Sequence, residues 1–475
     1  MDSLLAAAVA LHRRGLVREA EAQYRRILAD SPDCAEAHNA LGIALQQQGK
    51  PDGAVECFRR AVMIKPDYAG ALGNLGAALK TLGRSDQAIA ALEQALGLEP
   101  DNAEAHYNLA CVWQDDGQFE RAVAGYHRAI ALKPTHSGAY NNLGIALKSL
   151  GRLDESLIAY GRSLAVAPDN PVVRYNHAQA LLENGDFEQG WAEHEWRFAA
   201  GIAQARHAHL PRWQGQAPAG RTILVWSEQG LGDSIQFCRF LPHLSRRGAH
   251  VVFEGQPPLE RLCRSIPAIT VIARGEPLPA CDFQVPLMSL PGIMGDVPWA
   301  GAYLRPIAAE ATAWGEALGP HLRPRVGLVW AGSPTHKDDR NRSLPVGLLQ
   351  SATALAGADF FSFQVGPAAR SDLAGVTDLS PRLGDFAHTA AALGHMDLVI
   401  AVDTAVLHLA GALGRPAWAL LPFAPDWRWL RHRDDSPWYP SLRLFRQERR
   451  QDWETVMARV TGQLRDVIEA WTASG

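Results

Sequence analysis

The sequence has little of what would direct a protein to nucleic acid, to a metal or to a membrane. Its 46 Lys and Arg nearly balance 50 Asp and Glu, so the formal net charge of −4 gives no general attraction for nucleic acid or acidic lipid. Six cysteines are scattered without a CxxC pair, which argues against a zinc site or a disulfide framework. The N-terminal stretch MDSLLAAAVALHRRG has an apolar run of only eight residues, too short for a signal peptide or a membrane span. These absences predict a cytoplasmic protein with no nucleic-acid partner and no membrane span.

Several catalytic signatures are missing as well. The sequence has no SxxK, HExxH or Walker motif, and Asp338-Asp339 does not form a DxD pattern. No cluster of histidines and carboxylates has the spacing of metal ligands, so we predict a metal-independent protein without a bound cofactor. The chain has 475 residues, of which 47% are hydrophobic and 20% charged, and this composition indicates a soluble globular protein of two or three domains.

The N-terminal part of the chain repeats with a period of 34 residues, which predicts a helical repeat. Three kinds of residue recur at this period: prolines, small residues and large ones. Small residues let helices approach closely, and large ones fill the space between them. The prolines are Pro32, Pro66, Pro100, Pro134 and Pro168; examples of the small and large rows are Gly42, Gly76, Gly144 and Phe58, Leu92, Tyr160.

This pattern resembles the tetratricopeptide repeat, with five full units and a degenerate sixth over residues 1–204. Each unit is a helix pair that buries its apolar face only against its neighbours, so the family forms solenoids. The resemblance implies that the inner groove binds a protein or peptide partner. In the sixth unit, Gly190-Trp191 and the run HEWRF at 194–198 replace the usual residues, so we expect this unit to pack against the C-terminal part of the chain. The aperiodic stretch 205–221 reads as a linker.

One position of the repeats carries asparagine in successive units. Asn74, Asn108, Asn142 and Asn176 share this position on the first helix of their units, the helix that lines the concave face in this family. A carboxamide can donate to a peptide carbonyl and accept from a peptide N–H, so we predict that the row holds an extended acceptor peptide. The row is similar to the asparagine ladder of protein O-GlcNAc transferase. The alternative interpretation is that these side chains only solvate the face.

From Thr222 the chain alternates predicted strands and helices, as parallel α/β domains do. We predict a first lobe over 222–310, a second lobe over 322–450, and a C-terminal helix within 451–475 that packs back across the lobes. Two Rossmann-like lobes that face a cleft fit a GT-B glycosyltransferase, a sugar epimerase of the same type or a periplasmic-style binding protein. The missing export signal disfavours the last of these.

The stretch from Asp397 to Pro416, DLVIAVDTAVLHLAGALGRP, predicts a buried strand, a polar turn and a helix. The amides and the dipole at the start of such a helix favour an anion, and Thr404 adds a hydroxyl donor. His408 lies one turn further on. A diphosphate is therefore a suitable guest, although an ordinary capped helix would have the same pattern.

Two motifs in this order carry a further resemblance. QGLGD at 229–233, together with DTAVLHLAGALGRP at 403–416, is similar to the family 9 glycosyltransferases, the heptosyltransferase group, over about Thr222 to Leu464. With the repeats, the layout is similar to that of bacterial tetratricopeptide glycosyltransferases, some of which modify flagellin, and of protein O-GlcNAc transferase. The resemblance implies an all-α solenoid followed by an α/β GT-B half, and transfer of a sugar from a nucleotide-sugar donor.

Inverting transfer needs a base for the acceptor hydroxyl and a cradle for the leaving nucleotide. Asp233 matches the motif aspartate of the family and is the predicted base; Glu228, in the same loop, is the second candidate. The alternative is that Asp233 only caps a helix starting at Ser234. The predicted donor-binding residues are Asp403, Thr404, Ala405, His408, Lys337, Arg340, Arg342 and Gln364.

Two of these assignments leave alternatives open. The family usually has glycine at the position of Ala405, and a methyl group there can crowd a ligand that packs on bare backbone. Lys337, Arg340 and Arg342 are predicted to neutralise phosphate in place of a metal, but their loop can equally be a solvated charged segment. For Trp427, Trp429 and Trp438 we favour packing over stacking on a sugar.

The sequence thus predicts an enzyme that glycosylates a protein, such as a Ser or Thr hydroxyl of flagellin, held by the repeat groove. Two alternatives stay open: a saccharide or lipid-linked glycan as the acceptor, and a non-catalytic scaffold whose cleft is a relic.

Overall fold

The structure is a computed structural model that describes residues 2–295, 301–335, 339–369 and 373–474. The chain divides into two compact units, Met1–His177 and Ala178–Gly475. We refer to them as the repeat unit and the α/β unit. The predicted domain limits at 204, 221, 310 and 450 stay predictions.

The repeat unit is built from helices of 12 to 14 residues, and a further helix runs across its end into the α/β unit. The recurring prolines lie in the turns between helix pairs, where a missing N–H and a fixed φ are tolerated. These helices are α1 (Asp2–Arg13), α2 (Val17–Asp30), α3 (Ala35–Gln47), α4 (Pro51–Ile64), α5 (Ala69–Thr81), α6 (Ser85–Leu98), α7 (Ala103–Asp115), α8 (Phe119–Leu132), α9 (Ser137–Ser149), α10 (Leu153–Val166) and α11 (Pro171–Asn184).

The rows of small and large residues meet within each helix pair. A Cβ atom added to Gly42 would collide with the ring of Phe58, and one added to Gly144 would collide with the ring of Tyr160. The large side chains are buried, so each pair closes around one aromatic or leucine. The prediction that small residues allow the helices to approach is confirmed.

The α/β unit begins with the end of the repeats. Helix α12 (Phe187–His194) is followed by a short 3₁₀ turn, Glu195–Arg197. The ring of Trp191 lies edge-on to Phe237 and Trp427, with centroids 5.7 and 5.2 Å away. The expected packing of this segment against the α/β part is confirmed.

The first lobe has a four-stranded parallel sheet in the order β3-β2-β1-β4. Strands β1, β2 and β4 are largely buried, as parallel strands covered on both faces must be, whereas the edge strand β3 is partly exposed. The elements are β1 (Thr222–Trp226), α13 (Leu231–Phe237), α14 (Phe240–Arg246), β2 (His250–Gly255), α15 (Glu260–Cys263), β3 (Ile269–Ala273), β4 (Phe283–Pro286) and α16 (Leu290–Met294). The next helix, α17 (Ala308–Leu318), packs against the helix Phe386–Leu393 of the second lobe.

The second lobe has a six-stranded parallel sheet in the order β10-β9-β8-β5-β6-β7. Its two edge strands were not predicted. The elements are β5 (Arg325–Val329), α18 (Asp339–Arg342), α19 (Gln350–Thr353), β6 (Asp359–Ser362), β7 (Val376–Asp378), α20 (Phe386–Leu393), β8 (Leu398–Val402), α21 (Ala405–Ala412), β9 (Ala417–Leu421), β10 (Leu442–Arg446) and α22 (Trp453–Ser474).

The last helix differs from expectation. The sequence predicts that it packs back across the lobes, whereas the main packing partners of α22 are α19, the 3₁₀ turn Val346–Leu349 and β10, all in the second lobe. Its apolar residues, among them Trp453, Val460 and Leu464, join a core with strands β5 and β8. The apolar face of α22 therefore packs against the sheet of the second lobe. Among the described residues, no helix is both long and apolar enough to cross a membrane.

An all-α repeat region followed by an α/β region with parallel sheets confirms the predicted fold class. Sheets of this kind bind ligands at the carboxyl ends of their parallel strands. The turns after β1, β5 and β8 are therefore the places where a site is expected.

Candidate functional site

The turn after β1 leads directly into helix α13, which begins at Leu231 rather than at the predicted Ser234. Asp233 is the third residue of this helix, and its Oδ2 accepts a 2.7 Å hydrogen bond from the amide of Gly230. Its Oδ1 accepts from the guanidinium of Arg428. The carboxylate is 19% exposed. Asp233 thus caps its own helix, as the alternative interpretation expected, and still reaches the surface.

Glu228 lies in the same turn but in different surroundings. Its carboxylate is 1% exposed and makes two hydrogen bonds, of 2.8 and 2.9 Å, with the fully buried guanidinium of Arg197. The amide of Met288 donates a third at 3.1 Å. Burial raises the pKa of Glu228, although pairing with Arg197 opposes the change. Both oxygens are committed to joining the turn to Arg197, so Glu228 is the weaker candidate for a base.

Helix α21 begins in a different way. Thr404 is its N-cap residue, with extended backbone angles, but its side chain makes no capping hydrogen bond. The hydroxyl oxygen is buried and has no partner among the described residues. A buried, unpaired hydroxyl is unfavourable by about 1–3 kcal/mol, so such a group calls for a ligand or a water.

Asp403 and His408 lie under this helix start. Oδ2 of Asp403 accepts from the indole N–H of Trp429 at 2.8 Å, and Oδ1 lies 3.6 Å from Nε2 of His408. Burial alone would raise the pKa of Asp403, but His408 and Trp429 together hold the pKa below its usual value. Nδ1 of His408 lies 2.9 Å from the hydroxyl of Tyr439. The histidine is buried and engaged at both nitrogens, so it supports the turn rather than lining an open surface.

The two helix starts pack against each other. A Cβ atom added to Gly232 of α13 would lie 2.9 Å from Cδ2 of His408 and 3.6 Å from Cα of Ala405 on α21. The close approach that a glycine permits is therefore provided by Gly232, on the opposite side of the contact from Ala405. The QGLGD and DTAVLH segments, one from each lobe, meet here.

The loop after β5 reaches the same place. The guanidinium of Arg342 lies over Gly332 and donates to the main-chain oxygen of Asp403 at 3.1 Å. Its Nε lies 3.3 Å from Asp339. Arg340 is exposed, and no hydrogen bond of its side chain is found among the described residues. Of the three predicted phosphate-binding cations, Arg342 alone is therefore placed beside the start of α21 by the described contacts.

Two further predicted donor residues have different outcomes. Lys337 lies outside the described residues. The buried amide of Gln364 accepts from the backbone of Trp330 and Ala331 at 3.0 and 2.9 Å and donates to the carbonyl of Ala331 at 3.1 Å. Gln364 therefore shapes the end of β5, and its predicted contact with a base or ribose stays a prediction.

Arg428 was not among the predicted site residues. Its side chain is 8% exposed and donates to Gln236, to Asp426 at 2.8 Å and to Asp233. It also lies over the ring of Trp427. Burial alone would lower the pKa of Arg428, but the charges of Asp426 and Asp233 hold it above its usual value. In the segment PDWRWL, the tryptophans drew attention in the sequence and the arginine did not. Trp427 and Trp429 are fully buried, so the packing role predicted for them is confirmed.

In the repeat unit, the asparagines bond along the solenoid. The amide nitrogen of Asn74 donates to Asn39 at 2.9 Å, that of Asn142 to the hydroxyl of Tyr107 at 3.1 Å, and that of Asn176 to Asn141 at 3.0 Å. Each partner is 35 residues earlier, so the row links neighbouring repeats. For Asn108 the equivalent residue is Gly73, which has no side chain to accept. Peptide binding by the row stays a prediction.

Among the described residues, no three His, Cys, Asp or Glu side chains converge as a metal ion would require. Metal independence stays a prediction.

Comparison with known protein families gives matches in both the repeat unit and the α/β unit. One model of the tetratricopeptide repeat matches residues 5–69 and 114–171, and a second model matches residues 45–110 and 81–124. The model of glycosyltransferase family 9 (heptosyltransferase) matches residues 368–454, which include β8, α21 and Arg428. The resemblance to the tetratricopeptide repeat is confirmed, and that to family 9 is confirmed for residues 368–454, a range that holds the DTAVLH motif but not the QGLGD motif.

Protein FlbA of Caulobacter vibrioides is 30% identical over 341 residues, covering 63% of this chain and 56% of FlbA. The chain thus matches little more than half the length of that curated relative. Among solved structures, MamA covers 34% of this chain and 94% of its own at 27% identity and a TM-score of 0.32. A thermophilic tetratricopeptide protein of Thermus thermophilus covers 38% of this chain and 98% of its own at 28% identity and a TM-score of 0.33. Because both TM-scores are below 0.5, the repeat assignment relies on the family models and on the helix packing.

Proposed function

We propose that this chain, a tetratricopeptide-repeat protein with a family 9 glycosyltransferase region, transfers a sugar from a nucleotide-sugar donor to a protein acceptor. The observation that carries the proposal is the meeting of the two motif helices. Gly232, the neighbour of the predicted base Asp233, packs against α21, and the N-cap residue of α21, Thr404, has an unpaired buried hydroxyl.

On the donor side, the start of α21 supplies what a diphosphate needs. The hydroxyl of Thr404 and the amides of Ala405 and Val406 are donors at a helix N-terminus, where the helix dipole favours negative charge. Arg342 adds a guanidinium next to Asp403. These groups would stabilise the leaving nucleotide without a metal ion.

On the acceptor side, Asp233 is the proposed base of an inverting displacement. Each of its oxygens already accepts one hydrogen bond, but a carboxylate has about four lone-pair directions, so an incoming hydroxyl can still donate to it. Its partial exposure gives that hydroxyl access. The acceptor oxygen forms a bond to the anomeric carbon as the nucleotide diphosphate leaves, and its proton passes to Asp233.

The repeats favour a protein as the acceptor. Tetratricopeptide solenoids bind polypeptide segments in their inner groove, so a protein acceptor fits this chain better than a free saccharide. A Ser or Thr hydroxyl, for example of flagellin, is the proposed acceptor group, and the cytoplasm is the proposed location.

The test is a transfer assay with the full chain. Candidate acceptor proteins, free saccharides and lipid-linked glycans are incubated with a panel of nucleotide sugars, and products are measured by intact mass. Addition of one sugar mass to a protein supports the proposal, and exclusive modification of a saccharide or glycan assigns the other acceptor class. Equal product from wild type and Asp233→Ala would remove Asp233 as the base.

Two observations favour the scaffold as a second candidate: Asp233 is already paired with Arg428, and Ala405 stands where the family usually has glycine. A thermal-shift screen with nucleotides separates the two candidates. A nucleotide present at ten times its dissociation constant should stabilise the protein by about 1.4 kcal/mol. No shift with any nucleotide would favour the scaffold.

A further inference from the structure

The guanidinium of Arg428 lies buried at the junction of the two motif helices. Each nitrogen has a different partner: Nε donates to Gln236, Nη1 to Asp426 at 2.8 Å, and Nη2 to Asp233. Gln236 and Asp233 are on α13 of the first lobe, whereas Asp426 and Arg428 belong to the second. The same guanidinium is packed on the ring of Trp427, 4.4 Å from its centroid. Its position is thus set from several directions.

This guanidinium is surrounded by more negative charge than it can balance. Asp233 and Asp426 bond to it directly, and the carboxylate of Asp403 also lies within reach of its charge. Arg342 does not pair with these carboxylates, because it donates to the main-chain oxygen of Asp403 and pairs with Asp339. Removal of Arg428 would leave the carboxylates of Asp233 and Asp426 without this shared partner, at the junction where the proposed diphosphate binds.

We propose that Arg428 is a positioning residue that makes anion binding at α21 possible by balancing the charges of Asp233 and Asp426. It need not touch the nucleotide; it acts through the carboxylates. By holding Oδ1 of Asp233, it also fixes the orientation of the carboxylate together with the amide of Gly230, which donates to Oδ2. This inference rests on the proposed function, because it concerns the same diphosphate site.

Lysine cannot replace arginine in this arrangement. A planar guanidinium presents its N–H groups in a fixed fork, and here that fork reaches three side chains at once. An ammonium group is a single point charge that could keep one of these partners, so Arg428→Lys should retain part of the charge effect and lose the geometry.

The test measures the affinity of the full chain for ADP, GDP, UDP and CDP by calorimetry. We expect Arg428→Gln to weaken binding of the preferred nucleoside diphosphate by at least about tenfold, since like charges would then face the diphosphate. Adding Asp233→Asn to this variant should restore most of the lost affinity. Arg428→Lys should fall between Arg428→Gln and wild type. Rescue by removal of a charge is not expected of a residue that only supports packing.

Arg239 offers a matched control. It is also a buried arginine near α13, and its guanidinium donates to the carbonyls of Gln236 and Trp438 and to the hydroxyl of Tyr303 and lies over aromatic rings. Any affinity lost in Arg239→Gln should not be restored by Asp233→Asn. If Arg428→Gln does not fold, Asp233→Asn alone is informative, because removing a negative charge from the intact site should raise nucleotide affinity several-fold.

The outcomes separate the two proposals. Unchanged affinity in Arg428→Gln, or a loss that Asp233→Asn does not restore in a folded protein, overturns the role of Arg428 and leaves the proposed function standing. Unchanged affinity in the single variant Asp233→Asn would likewise overturn the role of Arg428 and leave the proposed function standing. If the wild type binds none of the four nucleotides, the proposed function and this inference both fall.

Discussion

Helices α13 and α21 begin in the same setting, each directly after a buried parallel strand, yet their first turns differ. In α13 the third residue, Asp233, turns back and accepts from the amide of Gly230, so the helix caps itself. In α21 the N-cap residue, Thr404, makes no capping hydrogen bond and keeps a buried, unpaired hydroxyl.

The difference shows that a strand, a turn and a helix do not by themselves define an anion site. An anion can bind only where donors at the helix start are left free, and an aspartate in the first turn of α13 already occupies that place with its own negative charge. The first lobe therefore offers a carboxylate and the second lobe offers donors. Sugar transfer needs one of each, at the contact between the lobes.

The largest effect is expected from removing the carboxylate of α13. Asp233→Ala should lower kcat by about 10²- to 10⁴-fold, as loss of a general base does. Asp385→Ala is the control, because Asp385 caps α20 through the amide of His388 without lying at the junction. Both variants lose a helix cap, so similar unfolding free energies with a loss of turnover only in Asp233→Ala would separate catalysis from capping. Equal turnover in the two variants would contradict the assignment.

The next effect concerns the open helix start. Thr404→Val keeps the shape of the side chain and removes the hydroxyl, so nucleoside diphosphate affinity should fall about 10- to 100-fold, the effect of one hydrogen bond to a charged group. The empty protein should become more stable by about 1 kcal/mol, since an unpaired buried hydroxyl is lost.

Calorimetry and urea unfolding measure the two changes, and Thr389→Val is the matched control. The hydroxyl of Thr389 donates to the carbonyl of Asp385, so its loss should lower stability and leave affinity unchanged. A Thr404→Val protein that is less stable than wild type would show that the hydroxyl has a partner.

A smaller effect tests the contact between the helices. Gly232→Ala places a methyl group against His408, so the unfolding free energy should fall by about 1–3 kcal/mol, as for other overpacked sites. Gly462→Ala, in the open middle of α22, should instead raise stability by up to about 1 kcal/mol through helix propensity. If Gly232→Ala were as stable as wild type, the two helix starts would not be in contact.

The smallest effect is a dependence of stability on pH. Because the folded-state pKa of Asp403 is below its usual value, its carboxylate stabilises the fold above pH ~4, and this contribution is lost as the pH falls through the lower folded value. Asp403→Asn should therefore be less stable than wild type at neutral pH, and the gap should shrink in acid. Urea unfolding at pH 7 and in acid measures it. A gap that widens in acid would contradict the direction of the shift.

The repeats were predictable because a period of 34 residues is a local signal, repeated many times. Helix α21 and the strands other than β7 and β10 were equally clear, since apolar runs with a polar turn and a helical pattern leave few alternatives. Edge strand β7 was missed because it has three residues, of which Thr377 and Asp378 are exposed. A short exposed strand has almost no pattern of its own.

The contacts of the site residues could not be predicted from local sequence patterns. Arg428 meets Asp233 across 195 residues of sequence, and nothing near PDWRWL indicates that partner. Gln364 was expected to contact a ligand, but its side-chain amide accepts hydrogen bonds from the backbone at the end of β5. This contact arises from the pairing of strands in the sheet, which a local sequence motif does not indicate. Burial of Glu228 against Arg197 likewise depends on where the segment after α12 lies.

A crystal structure with a bound nucleoside diphosphate tests the central claim most directly. We predict that its phosphates lie within hydrogen-bonding distance of Thr404 Oγ1 and the amides of Ala405 and Val406, with Asp233 across the junction. Phosphate density at the start of α13 instead, or a diphosphate bound away from α21, would contradict the account.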